Sequence, residues 1–131
     1  MLGHPYRLRG EVVTGARRGQ TIGFPTANLA KIETLLPADG VYGGISHVGE
    51  HSFAAAINIG PNPTFGEQHR KVEVHLIDFA GDLYGSWITV DLLERIRPTR
   101  RFESKEDLVR QISQDVAAVR TLVANRLSPD T

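Results

Sequence analysis

Apolar and polar residues change their rhythm once along this chain. Up to about residue 93 the apolar positions recur every second residue, in short runs separated by glycine and proline. Val72, Val74 and Leu76 alternate with Lys71, Glu73 and His75, and Ile88, Val90 and Leu92 alternate with Trp87, Thr89 and Asp91. That period belongs to half-buried strands. The pattern predicts strands over Tyr6–Thr14, Val41–Val48, Ser52–Ile59, Lys71–Ile77 and Trp87–Leu93, with Gly49-Glu50 as a hairpin turn. Further on, Leu108, Ile112, Val116, Val119, Val123 and Leu127 follow steps of three and four and form one stripe of a helix. Ser104 can cap its start, Asp107 occupies the place of a capping-box acid, and Ser128-Pro129 ends it. These elements predict an antiparallel barrel or sandwich with a C-terminal helix packed across it. The helical stripe reads as core.

Composition narrows this further. With 131 residues, 40% hydrophobic and 23% charged, the chain has the size and content of one globular domain, spanning 1–131. The barrel is expected at about 6–102 and the helix at about 104–127. Basic and acidic residues number 15 each, and aromatics make up 7%, which argues against a nucleic-acid-binding barrel with a stacking platform. There is no cysteine, hence no disulfide and no thiolate metal site. No apolar run approaches a membrane span, and the start lacks a secretory h-region. A cytoplasmic protein without membrane or nucleic-acid partners is the expectation.

Four stretches could carry chemistry. In GARRGQTIG, Gly15–Gly23, the glycines allow close backbone approach to an anion, and Arg17 and Arg18 add phosphate-seeking charge. The alternative is a surface loop with two solvated arginines. It is neither a Walker A loop nor a dinucleotide fingerprint. In GFPTAN, Pro25 favours an extended segment in which Thr26 and Asn28 point to one side. Their neutral oxygens suit Mg²⁺ when phosphates supply the charge, and suit a turn equally well. Glu73 stands mid-strand on the polar face, either a carboxylate positioned to take a proton or a surface partner for a cation. Arg95, Arg97, Arg100 and Arg101, with Phe102, could meet a phosphate or a flat ring, or be a solvated connection. Asn58–Gly66, dense in turn formers, reads as a shaped loop. His47-Val-Gly-Glu-His51 has one residue too many for a nucleotidyltransferase H-x-G-H signature and falls in a hairpin; His75 reads as structural.

Taken in order, GEVVTGARRGQTIGFPTANL, LPADGVYGG, INIGPNPTFG, VEVHLIDF, DLYG and IRPTRRFESKEDLVRQISQD resemble the riboflavin kinase family over nearly the whole chain. The resemblance implies a six-stranded antiparallel Greek-key barrel closed by a C-terminal helix. It implies transfer of the ATP γ-phosphoryl group to the ribityl 5′-hydroxyl of riboflavin, giving FMN and ADP. By the same resemblance, Thr26 and Asn28 contact the Mg²⁺ of the bound nucleotide, and Glu73 is the general base. ATP lies against Gly15, Arg17, Arg18, Gly19, Thr21, Gly23, Pro25 and Thr26. A mobile flavin-side loop at about Arg95–Phe102 offers Arg97, Arg100 and Phe102. The opening MLGHPY resembles the join to an FMN adenylyltransferase domain in bifunctional bacterial members, so this chain is expected to be a kinase module or a stand-alone kinase without FAD synthesis. The alternative is a flavin- or nucleotide-binding barrel that does no chemistry; it needs the pocket but not all of Glu73, Thr26 and Asn28.

Overall fold

Alternation of aliphatic and polar residues gives each strand one face that must leave water, and six such strands can satisfy it together by closing on themselves. The computed structural model, which describes residues 6–13, 26–61 and 70–127, does this. The strands are β1 (Tyr6–Val13), β2 (Ala27–Ala30), β3 (Gly40–Val48), β4 (His51–Gly60), β5 (Lys71–Leu76) and β6 (Trp87–Arg97). All pairings are antiparallel, and the closed order is β1-β2-β5-β4-β3-β6. β3, β4 and β5 follow one another as neighbours and β2 lies beside β5, which is a Greek-key arrangement. No helix among the described residues is long and apolar enough to cross a membrane.

The inward faces fill the barrel with Leu8, Ile57, Val74, Ile88 and Val90, each at most 1% exposed, together with Tyr42, Val72, Leu76 and Leu92. Each large aliphatic side chain buried there stabilises the fold by about 1.5–3 kcal/mol. Gly49 turns the β3–β4 hairpin with φ 59, at the first central position, where a type II′ turn wants glycine.

The helix α1 (Lys105–Leu127) begins as its sequence demands: the Asp107 amide donates to Ser104 Oγ at 3.1 Å. The Asp107 carboxylate does not reach back to complete a capping box; it accepts from Arg110 at 3.0 Å. Val119 and Val123 are buried against Ile45, Ala54, Ala56, Leu93 and Ile96 on the outer face of β3, β4 and β6, with Ile77 beside them. The side chain of Leu127 and the stop at Ser128-Pro129 lie outside the described residues.

Two expectations change. Arg95–Arg97 are not loop: β6 runs to Arg97, and the connection starts at Pro98, which has no N–H to continue the ladder. Irregularities between Val41 and Tyr42 and between Gly43 and Gly44 let β3 and β6 stay paired through this charged stretch. Asn58–Gly60 are likewise strand, the end of β4, while 62–69 lie outside the described residues.

Outside the barrel, Asp91 of β6 joins three strands. Arg7 of β1 donates to it twice, at 2.6 and 2.9 Å, and His47 of β3 meets it at 2.9 Å, with Ser52 at 3.0 Å from the other ring nitrogen. The hydrogen bonds from Arg7, then His47, hold the Asp91 carboxyl below its usual 3.8, against the opposing effect of burial. A carboxylate lowered in this way stabilises the fold fully above its unfolded-state value and loses that contribution as pH falls through its folded value. Asp91→Asn is therefore expected to weaken stability at neutral pH and to reduce the loss of stability on acidification below about pH 3.8, followed by denaturant titration. At the adjacent irregularity, a Cβ on Gly44 would lie 2.0 Å from the Asp91 carbonyl oxygen, a backbone atom. Gly44→Ala is expected to cost at least about 1–3 kcal/mol in the same assay. Gly43→Ala, whose Cβ would meet the far end of Leu122 at 2.8 Å, should cost less.

Candidate active site

The pleat decides which polar groups can meet. Because Val72 and Val74 face inward on β5, Glu73 faces out; because Ile57 and Ile59 face inward on β4, Asn58 faces out; because Leu29 faces inward on β2, Asn28 faces out. Register then aligns all three. Glu73 is directly opposite Asn28 on one side and directly opposite Asn58 on the other. Facing residues in such pairs hold their Cβ atoms about 4.5–5.5 Å apart. The row continues from Asn58 to Val41 of β3 and then to Arg97 of β6, and ends beyond Asn28 at Val13 of β1. Thr26 comes immediately before β2, two residues from Asn28.

Glu73 Oε1 and Asn58 Oδ1 are both buried, and Asn58 Oδ1 has no hydrogen-bond partner among the described residues. Lys71, Glu73 and His75, which share the outward face of β5, are each engaged in an interaction. Asn58 was not among the residues singled out from the sequence. Its signal was there: it sits one alternation step between Ile57 and Ile59, continuing β4 into a stretch whose turn formers disguise it.

Within the basic cluster, Arg95 and Arg97 are held by an acid and by carbonyls. Arg97 grips Asp115 of α1 with two hydrogen bonds of 2.9 and 2.7 Å and donates to the Pro98 carbonyl at 3.1 Å. Gln111 adds a third hydrogen bond to Asp115 at 3.0 Å. The side chains of Arg97 and Asp115 are only 16% and 4% exposed. Phe102 is buried, with the guanidinium groups of Arg97 and Arg100 at 5.8 and 4.7 Å from its ring centroid. Arg95 donates to the Asp39 carbonyl at 2.9 and 3.2 Å, and Arg70 to the Asp39 carboxylate at 2.6 Å. Asp115 was also missed, although an acid inside an otherwise aliphatic helical stripe is visible in the sequence.

A model of the riboflavin kinase (flavokinase) family matches residues 2–123. The chain belongs to this family. It is 42% identical over 121 residues to the bifunctional riboflavin kinase/FMN adenylyltransferase of Escherichia coli K12, covering 92% of this chain and 39% of that protein. Among solved structures, a riboflavin kinase from Trypanosoma brucei superposes with a TM-score of 0.66 at 27% identity, covering 92% of this chain and 81% of the other. A Streptococcus pneumoniae structure named as a macrolide-efflux protein superposes with a TM-score of 0.80 at 39% identity, covering 88% of this chain and 38% of that one. The chain thus spans about two fifths of the length of the bifunctional relatives.

Within this flavokinase barrel, the glycine-rich residues Gly15, Arg17, Arg18, Gly19, Thr21, Gly23 and Pro25 lie outside the described residues. Their flanks are described. Val13 is the cross-strand partner of Asn28, so the β1–β2 connection leaves and returns at the Asn28 end of the row. Among the described residues no group of three or more His, Asp or Glu side chains could hold a metal ion. The group opposite Glu73 on β2 is instead the amide of Asn28, with the Thr26 hydroxyl two residues before it in the chain; both are hard neutral oxygens of the kind that fit Mg²⁺ arriving already charge-balanced by phosphates.

With its guanidinium committed to Asp115, Arg97 anchors the end of β6 to α1. Removing one partner of a buried pair strands the other, so Asp115→Ala is expected to destabilise the protein by about 3–5 kcal/mol. Replacing both, as Arg97→Met with Asp115→Leu, should recover most of that loss, read from denaturant midpoints.

Proposed function

We propose that this chain transfers the γ-phosphoryl group of ATP to the 5′-hydroxyl of the ribityl chain of riboflavin, giving FMN and ADP. The observation that carries the reading, beside family membership, is the direct cross-strand pairing of Asn28 with Glu73 on the outer wall. It sets a carboxylate next to a neutral oxygen donor on strands too rigidly paired to drift apart.

In this reading Glu73 accepts the proton of the ribityl hydroxyl as its oxygen bonds to the γ-phosphorus. The bond from that phosphorus to the β-phosphate bridging oxygen breaks, and ADP leaves with the electron pair. Thr26 and Asn28 would hold Mg²⁺ delivered with ATP, which supplies charge neutralisation across the phosphate oxygens. Gly15, Arg17, Arg18, Gly19, Thr21, Gly23, Pro25 and Thr26 would line the nucleotide; Arg97, Arg100 and Phe102 belong to the flavin side, with Arg97 acting there through its hold on Asp115. Positioning and electrostatic stabilisation then account for most of the rate, as in phosphoryl transfer generally. An ATP-consuming step points to the cytoplasm. Any further module in the protein, we propose, would be an adenylyltransferase, as in the relatives named as bifunctional.

The decisive assay mixes the purified chain with riboflavin, ATP and Mg²⁺ and follows FMN by chromatography. Turnover should stop on chelation of the metal. Glu73→Gln should lower kcat by about 10²–10⁴-fold while flavin binding, read by fluorescence quenching, stays within a few-fold. Asn28→Ala should raise the Mg²⁺ and ATP concentrations needed for half-maximal rate. Near-normal turnover by Glu73→Gln would remove the base; an unchanged metal requirement in Asn28→Ala would remove the ligand.

A further inference from the structure

Asparagine is a poor strand residue, and an outward position between Ile57 and Ile59 would favour a β-branched side chain. Asn58 occupies it nonetheless, with its Oδ1 buried and without a hydrogen-bond partner among the described residues. A buried amide carbonyl left in this condition costs stability, and such local conflicts concentrate where a ligand resolves them. The group that would resolve this one is a hydrogen-bond donor.

The position of Asn58 says which donor, and here the argument rests on the kinase reading. Asn28, Glu73 and Asn58 follow one another across β2, β5 and β4, with neighbouring strands about 4.7–4.9 Å apart. Phosphates gathered at the Asn28 end and a reacting hydroxyl at Glu73 leave one direction for the rest of the acceptor. In-line displacement requires the attacking oxygen to face away from the leaving ADP. The carbon chain bearing that oxygen therefore runs from Glu73 toward β4, where Asn58 is the next side chain in the row, and Val41 follows it. The next polar group on a ribityl chain is a secondary hydroxyl.

We infer that Asn58 Oδ1 accepts the hydrogen of the secondary hydroxyl adjacent to the reacting one, the 4′-hydroxyl of riboflavin. An amide suits this task beside Glu73. A second carboxylate would repel the first and compete for the proton, whereas the amide oxygen accepts a hydrogen bond without charge and leaves Glu73 the sole base. Holding one hydroxyl of the vicinal pair on Asn58 also leaves the terminal one facing Glu73, so Asn58 selects both a polyol substrate and the end that reacts.

The test compares kcat/KM for riboflavin and for its 4′-deoxy analogue. The wild-type chain should prefer riboflavin by roughly tenfold, the effect of one buried acceptor losing its donor. Asn58→Ala should bring the preference to within about twofold while KM for ATP is unchanged. Asn58→Val, whose side chain suits a strand and has no acceptor, gives the same reading if the alanine variant does not fold. FMN production with the wild-type preference intact in either variant overturns this inference alone. Absence of FMN from the wild-type chain overturns the kinase reading, and this inference with it.

Discussion

The register between β2, β5 and β4 is the constraint on which the rest of this molecule depends. A side chain in a paired strand has two options, inward or outward, and a slip of one residue exchanges them for every residue in the strand. Here the inward option is closed to polar groups, because Val72, Val74, Ile57, Ile59 and Leu29 fill the barrel. Burial of those aliphatic groups thus fixes, with no contribution from the polar residues themselves, that Asn28, Glu73 and Asn58 emerge together on the outer wall. A slip in β5 alone would turn Glu73 into the barrel, where an unpaired carboxylate is far too costly to tolerate. The same energy that folds the protein therefore aligns the candidate site.

The opposite part of the barrel solves a different problem, that of seating a helix. α1 crosses the outer faces of β3, β4 and β6, and Gly43 leaves room there for Leu122 and Val119. Gly44, facing inward at the adjacent irregularity, permits β3 to approach the Asp91 carbonyl. Arg97 then locks the end of β6 to Asp115 in the helix. Since Arg97 is also the last member of the cross-strand row through Val41, Asn58, Glu73 and Asn28, the helix is mechanically joined to the site without supplying a residue to the row.

Period-two and helical patterning made most of this architecture legible before any coordinates. The alternation in β5 put Glu73 outward, and the stripe from Leu108 to Val123 placed α1. What resisted reading has physical reasons. β2 is four residues long, too short for a period to declare itself. β6 continues past Leu93 through Glu94-Arg95, because irregular pairing with β3 carries the ladder where side-chain polarity suggests a loop. Asn58 was hidden by the turn formers after it, and Asp115 by the assumption that a buried stripe is wholly apolar. Cross-strand register is a non-local quantity, so no pattern within a single strand could place Asn28 opposite Glu73. Resemblance to a family put both residues in one site, and the coordinates supply the pairing itself.

The charge balance of the row gives the arrangement its chemical logic. One carboxylate lies between two amides, and amides add no charge of their own. If acids replaced them, three carboxylates at neighbouring positions would repel one another, and each would favour protonation over ionisation. The amide oxygens offer lone pairs to a hydroxyl or to a cation already balanced by phosphates without adding a second negative charge beside Glu73. Under the proposed function, such a site would bind a bare divalent ion weakly and the ion with its nucleotide more strongly, because the opposing charge would arrive with the substrate rather than from the wall. In the proposed reading, metal and ATP would thereby be recruited as one unit.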